Sequence, residues 1–308
     1  MEWIEYPEYV KFAAIDIGSN AVRLLFYNIY HNDEGISVFK KVALTRVPIR
    51  LGEDVFVNGI VSQAKIDKLI KAMLAFRNLI EIHEVKGYRA CATSAMREAK
   101  NASDIIRTIK EQSGIDIAII DGKTEADLIY SNHIADALTH SRAYLYIDVG
   151  GGSTEITLFS KGKKRYAESF NIGTVRMLHD KIDKEEWQRL KYQCQMLQEL
   201  YPNIMGIGSG GNIIKLQKLS GETEGNPFTR SQLKDIYQKL KDTSISSRIR
   251  KYSLNPDRAD VIVPAAEIYL HICKNADIKS IFVPKVGLSD GIIHKLYEEF
   301  LADNSMSK

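Results

Sequence analysis

Hydrophobic and polar positions along residues 11–120 follow two periods, one typical of strands and one typical of helices. Apolar, β-branched and aromatic runs predict strands at residues 11–17, 23–30, 37–44, 88–92 and 115–120. Apolar positions at 3.6-residue spacing predict a helix within residues 62–85, with Ser62 as its N-cap, and another at 101–112. Because strands and helices alternate, the pattern predicts a sheet with crossover helices, which is an α/β architecture.

A second cycle of elements begins near residue 144. Predicted strands lie at residues 144–149, 155–160, 165–170 and 203–206. Predicted helices lie at residues 211–218, 231–241, 257–274 and 287–301. Helices therefore dominate the C-terminal half of the chain.

The two cycles share a short internal repeat. Ile15–Ser19 and Ile147–Gly151 superimpose at an offset of 132 residues, the difference between positions 148 and 16. Each copy is a strand, an aspartate, a glycine turn and another strand. Two like domains that face each other would place both turns on one cleft, so the sequence predicts domains at 1–135 and 136–308, with helix 295–308 packing on the first.

Composition narrows the class of protein. The 308 residues are 44% apolar and 26% charged with a net charge of +3, values typical of a folded chain. A net charge this small does not produce an overall positive electrostatic potential that would attract nucleic acid. Three widely spaced cysteines form neither a disulfide framework nor a zinc motif, and no apolar run approaches the ~18 residues of a membrane span. We therefore expect a cytoplasmic protein with no membrane or nucleic-acid partner.

The glycine turns carry the predicted chemistry. A turn of small residues after a strand presents backbone N–H groups to an anion, while its aspartate can face a metal or a water. Phosphate is the expected ligand of both turns. A third glycine-rich segment, residues 206–211, also fits a dinucleotide motif, but it lies late in the chain and outside a run of βαβ units.

These motifs closely resemble those of the exopolyphosphatase and guanosine pentaphosphate phosphohydrolase family, which belongs to the actin, sugar-kinase and heat-shock ATPase superfamily. The matching segments, in order, are residues 13–25, 50–53, 92–99, 122–126, 147–155, 173–176, 255–260 and 287–288. The resemblance covers nearly the whole chain. It implies two ribonuclease-H-like domains around a central cleft, in the short form that lacks additional C-terminal helical domains.

The resemblance also implies a set of site residues. Glu125 matches the catalytic glutamate, and Thr124 is expected to cap its helix, whose N-terminus would favour an ionised carboxylate. Metal ligands for Mg²⁺ or another divalent cation are implied at Asp16, Asp148 and Glu155. Phosphate-binding residues are implied at Gly18, Ser19, Asn20, Arg23, Arg97, Gly150, Gly151, Gly152, Ser153, Gly208, Gly210 and Gly211.

The implied activity is metal-assisted release of terminal phosphate from inorganic polyphosphate, with guanosine pentaphosphate as a second substrate. A non-catalytic sensor of alarmone nucleotides and a kinase or ATPase of the same superfamily remain alternatives. Departures from the family pattern at Thr124, Asp127, Asn212 and Ser289 leave chain-length preference and nucleotide recognition open. The basic run at 161–165 could guide a long substrate or form a solvated hairpin tip. Apolar late helices also leave a homodimer open.

Overall fold

Two β-sheets organise the part of the chain that the computed structural model describes, residues 8–130, 142–223 and 225–306. The first sheet has the spatial order β3-β2-β1-β4-β5. Its strands are β1 Tyr9–Ile17, β2 Val22–His31, β3 Ser37–Val47, β4 Gly87–Ala92 and β5 Ile117–Ile119. The first three strands form an antiparallel meander, and β4 and β5 add in parallel to β1.

The second sheet repeats this plan in the order β10-β11-β9-β6-β7-β8. Its strands are β6 Ala143–Val149, β7 Thr154–Ser160, β8 Lys163–Phe170, β9 Met205–Ser209, β10 Phe228–Thr229 and β11 Ser280–Phe282. Strand β6 pairs antiparallel with β7 and parallel with β9, just as β1 pairs with β2 and β4. The predicted α/β architecture with two related sheets is confirmed.

Helices cover both sheets. In the first half they are α1 Leu51–Asn58, α2 Gln63–Ile82, α3 Ser94–Glu98, α4 Ala102–Ser113 and α5 Gly122–Tyr130. In the second half they are α6 Thr174–Leu178, α7 Lys184–Leu200, α8 Gly211–Leu219, α9 Arg230–Lys241, α10 Ile245–Tyr252, α11 Pro256–Ala259, α12 Ile262–Asn275 and α13 Leu288–Met306. Among the described helices, none is both long enough and apolar enough to cross a membrane.

The last helix, α13, belongs to the interface between the halves. It packs on β1, β2, β4 and α5, and its Ile292, Ile293 and Tyr297 share one apolar cluster with both sheets. Gly291 permits this approach, because a Cβ there would lie 1.7 Å from the Leu128 carbonyl oxygen of α5. The predicted boundary between residues 135 and 136 lies outside the described residues and stays a prediction.

Several element boundaries differ from the sequence pattern. The strand predicted at 203–206 runs from Met205 to Ser209, since Asn203 adopts a left-handed turn conformation. The helix predicted at 257–274 is broken between α11 and α12. Arg248 explains the break, because its guanidinium binds the Ala259 carbonyl at 2.9 Å. Ser62 does occupy the N-cap of α2, although its hydroxyl makes no capping hydrogen bond.

Candidate active site

A cavity of about 110 Å³ lies where β1 and β6 end, between the two sheets. The two glycine turns form matching walls: the Gly18 N–H donates to the Ala21 carbonyl at 3.1 Å, and the Gly150 N–H donates to the Ser153 carbonyl at 2.9 Å. The structure therefore brings the two copies of the sequence repeat to one site, as the repeat predicts.

Most of the implied site residues line this cavity. The implied residues in its wall are Asp16, Gly18, Ser19, Asn20, Arg23, Glu125, Asp148, Gly150, Gly151, Ser153, Glu155, Gly210 and Gly211. These come from both halves of the chain and from positions up to about 195 residues apart in sequence, as positions 16 and 211 show. The cavity is therefore a shared site that neither half forms by itself.

Two of the predicted glycines, Gly152 and Gly208, lie outside the cavity wall, and their contact with phosphate stays a prediction. Gly152 sits against the first half, where an added Cβ would lie 2.3 Å from Phe56 and 2.4 Å from the Ser94 hydroxyl. Gly208 lies inside the second core, where a Cβ would meet Ile213 at 2.9 Å. Both positions are small because neighbouring groups approach closely.

Arg97 also stands outside the cavity wall. Its Nη1 donates to the Ile120 carbonyl at 2.6 Å and lies 3.6 Å from Glu125 Oε2. Arg97 thus faces the carboxylate of Glu125, too far for a hydrogen bond but close enough to favour its ionised form.

Three carboxylates gather on one side of the cavity. Asp148 and Glu155 are direct cross-strand partners on β6 and β7, and Glu125 of α5 faces them. Glu155 is 2% exposed and Glu125 is 8% exposed. Burial, reinforced by Glu155 and Asp148, raises the pKa of Glu125 well above its usual range. Burial likewise raises the pKa of Asp148 to about 6.

The helix that carries Glu125 begins differently from the sequence-based expectation. The Asp121 carboxylate accepts the Thr124 N–H at 2.7 Å, so Asp121 caps α5 and Thr124 lies inside the first turn. Asp127 forms an ion pair with Lys164 of β8 and takes no part in a capping box. The helix N-terminus was expected to favour an ionised Glu125, but burial and the neighbouring carboxylates outweigh it.

Three arginines also line the cavity. Arg23 pairs with Asp16 at 2.5 Å, and Arg46 pairs with Asp257 at 2.5 Å. Arg258 adds a third guanidinium, and its pKa is lowered by burial and by the charges of Arg46 and Arg23. Sequence reasoning missed Arg46 and Arg258 as site residues, although Arg258 lies within one of the matching segments.

A divalent cation fits the carboxylate side by its donor chemistry. Glu125 Oε2 is buried and lacks a hydrogen-bond partner among the described residues, and its neighbours Asp148 and Glu155 have raised pKa values. The described residues form no group of three side chains with metal-binding geometry. Mg²⁺ does not require one, because it commonly takes one or two carboxylates together with waters and substrate phosphates.

Contacts between the two halves of the chain also lie beside the cavity. Arg176 of α6 donates to the Gly152 carbonyl at 2.6 Å, pairs with Glu98 and stacks on Phe56 at 4.0 Å. Arg50 of the first half binds Asp260 through two nitrogens, at 2.6 and 3.2 Å. These contacts fix the walls of the cavity relative to each other.

Comparison with known proteins agrees with this arrangement. A bifunctional 3-dehydroquinate synthase/phosphatase from Fusobacterium nucleatum is 28% identical over 273 residues, which are 82% of this chain and 41% of that protein. The crystal structure of the Aquifex aeolicus member of the Ppx/GppA protein family has a TM-score of 0.73 and 25% identity, covering 96% of this chain and 99% of that one.

The crystal structure of an exopolyphosphatase from Cytophaga hutchinsonii has a TM-score of 0.80 and 21% identity, covering 94% of this chain and 98% of that one. This likeness concerns the fold, and with the Aquifex structure it confirms the predicted fold class of two actin-like α/β domains. The model of the Ppx/GppA phosphatase family matches residues 28–300. Because that match spans most of the chain, the protein belongs to the Ppx/GppA phosphatase family.

Proposed function

We propose that this protein is a metal-assisted phosphohydrolase that releases the terminal phosphate of inorganic polyphosphate, with guanosine pentaphosphate as a second substrate. The observation that carries this proposal is that carboxylates and arginines line one cavity. The carboxylates are Glu125, Asp148 and Glu155, and the arginines are Arg23, Arg46 and Arg258. Arginines suit phosphate oxygens because a guanidinium can donate two parallel hydrogen bonds.

Glu125 is the proposed general base. Its Oε2 is buried, lacks a hydrogen-bond partner among the described residues and therefore has lone pairs available to an attacking water. A raised pKa makes its carboxylate a stronger proton acceptor than an exposed glutamate, once it is ionised. Arg97, 3.6 Å from this oxygen, favours the ionised form that the reaction needs.

The glycine turns and arginines are proposed to hold the phosphoryl group. Phosphoryl transfer depends mainly on positioning and on neutralising the charge of the transferred oxygens. The two glycine turns line the site with Gly18, Ser19 and Asn20 from the first half and Gly150, Gly151 and Ser153 from the second. Asp148 and Glu155, with Asp16 beside them, would hold Mg²⁺, which would supply positive charge to the phosphate oxygens when bound. The leaving phosphates would then lie toward Arg258.

The test is phosphate release by the purified protein from long-chain polyphosphate and from guanosine pentaphosphate. Each substrate is assayed with Mg²⁺ and then with excess chelator. Glu125→Gln is compared with Glu81→Gln, a matched change on the exposed face of α2, where Glu81 pairs with Arg77. We expect metal-dependent release, a loss of about 10²–10⁴-fold in kcat for Glu125→Gln and no change for Glu81→Gln.

Two outcomes would contradict the proposal. Unchanged turnover in Glu125→Gln would remove this residue as the base. Binding of both substrates by the folded wild-type protein without phosphate release would remove the hydrolase and favour the nucleotide sensor. Transfer of phosphate from ATP to an added sugar would instead favour the kinase alternative.

A further inference from the structure

The basic side of the cavity continues along helix α8. This helix begins at the cavity, where Gly211 and Asn212 line the wall. Lys215 and Lys218 follow Gly211 at positions i+4 and i+7, so the three residues share one helix face. Helical side chains lean toward the N-terminus of their helix, and Lys215 therefore leans back toward the cavity.

Arg258 connects the cavity to this helix face. An added Cβ on Gly211 would lie 2.6 Å from Arg258 Nη2, so the guanidinium packs directly against the first turn of α8. Burial, Lys218 and Arg258 together lower the pKa of Lys215. Arg258, Lys215 and Lys218 thus form one continuous group of cations, which we call the α8 strip.

The α8 strip lacks an ion-pair partner among the described residues, and only the charge of Asp257, which pairs with Arg46, partly offsets Arg258. Across residues 8–130, 142–223 and 225–306, none of its three cations forms an ion pair within 4.0 Å. Arg46, by contrast, has its charge balanced by Asp257 at 2.5 Å. Like charges held together without a partner repel one another, and they attract a polyanion.

The other basic run differs in this respect. Lys164, in the β7–β8 hairpin, forms an ion pair with Asp127 of α5, and Lys163 lies exposed beside it. None of residues 161–165 lines the cavity. The run at 161–165 therefore resembles a solvated hairpin tip, and the α8 strip is the basic surface continuous with the site.

We propose that Lys215 and Lys218 bind the phosphates of polyphosphate that lie beyond the reacting end, and so set a preference for long chains. The inference rests on the proposed function, since it assigns an orientation to the same substrate. The reacting end lies at the carboxylates, and the remaining chain leaves past Arg258 along α8. With a rise of 1.5 Å per residue, Lys215 and Lys218 lie about 6 and about 10.5 Å from Gly211 along the helix axis.

The distance makes the proposal specific for chain length. Tripolyphosphate has only three phosphates, and its reacting end occupies the cavity, so it gains little from Lys218. Long-chain polyphosphate can contact both lysines. The test compares Lys215→Gln, Lys218→Gln and the double variant with Lys163→Gln, the matched control on the hairpin.

Initial rates of phosphate release are measured on tripolyphosphate and on long-chain polyphosphate at two salt concentrations. We expect each α8 variant to raise KM for the long chain about tenfold with kcat preserved, because a charged contact of this kind is lost. In Lys218→Gln the KM for tripolyphosphate should change less than twofold, the salt dependence on the long chain should weaken, and Lys163→Gln should match wild type.

Equal KM changes on both substrates, or none in the double variant, would overturn the inference while leaving the hydrolase intact. If wild-type protein releases no phosphate, the proposed function fails, and equilibrium binding of the two polyphosphates decides the inference alone. Tighter wild-type binding of the long chain, lost in the double variant, supports the α8 strip. Equal binding of both lengths by the wild-type protein refutes it.

Discussion

Replacing Gly291 by alanine tests whether the packing of α13 positions the proposed base. Gly291 faces the backbone of α5, where its new Cβ would lie 1.7 Å from the Leu128 carbonyl oxygen. Real Cβ contacts do not fall below 3.0 Å, so the helices must part by about 1.3 Å, the difference between these distances. Glu125 is on α5, one turn before Leu128, and the shift displaces it from Asp148 and Glu155.

Two magnitudes follow from this displacement. Overpacking costs about 1–3 kcal/mol, and the better helix propensity of alanine returns up to about 1 kcal/mol, so we expect a net destabilisation of about 1–2 kcal/mol. Catalysis is more sensitive, because a misplacement of about 1 Å can lower the rate about 10²-fold. We therefore expect Gly291→Ala to remain folded while its kcat falls about 10²-fold.

The assay combines urea unfolding with kcat for polyphosphate hydrolysis. Gly87→Ala is the control. Gly87 lies on β4, and a Cβ there would contact Phe12 of β1 at 3.5 Å, an ordinary van der Waals distance. We expect the control to keep wild-type activity and to change the free energy of unfolding by less than about 1 kcal/mol. If Gly291→Ala is destabilised but retains activity within twofold, the position of α5 does not govern catalysis and the reasoning fails.

Two further predictions concern stability. Tyr269→Phe should lower the free energy of unfolding by about 1–2 kcal/mol in urea titrations. The reason is that the Tyr269 hydroxyl lies 3.0 Å from each of the Ile147 and Ser209 carbonyl oxygens. An unchanged unfolding midpoint would contradict this prediction. Since burial raises the pKa of Asp148 from 3.8 to about 6, the folded metal-free protein holds a proton that the unfolded chain releases. The stabilisation from this bound proton is fully present below about pH 4 and is lost as pH rises through about 6. The Tm of the wild type should therefore fall relative to that of Asp148→Asn across this window. Parallel plots of Tm against pH for the two proteins would refute the prediction.

Local pattern predicted the sheets well because their strands are long and apolar. The predicted strands at 11–17 and 23–30 lie within β1 and β2, and the repeat correctly indicated that β6 and β7 repeat their pairing. The sequence pattern missed β10 and β11, with two and three residues, because such short strands exist only through pairing with β9 and each other. Helix α1, with eight residues, was also missed.

Residues of the candidate site could be predicted where they belong to a recognisable sequence motif. Residues that reach the cavity from elements distant in sequence could not. Asp16, Glu125 and Asp148 follow from the repeat and the family resemblance. Arg46 comes from an edge strand and Arg258 from a four-residue helix, and neither has local periodicity that points to the cavity. Only the approach of the two halves brings these arginines into the same cavity as the carboxylates, so no local signal would have identified both.

The charges of the cavity argue that an ionic ligand completes it. A site selected for stability alone would pair its carboxylates with its arginines, as Asp16 does with Arg23. Instead Glu125, Asp148 and Glu155 remain together with raised pKa values, and Arg258 remains without an ion pair among the described residues. A cation bound to phosphate satisfies both sides at once, because the cation meets the carboxylates and the phosphate oxygens meet the guanidinium. On the proposed function, these unbalanced groups would give the site its affinity for phosphate, and the α8 strip would set the direction in which a polyphosphate chain enters.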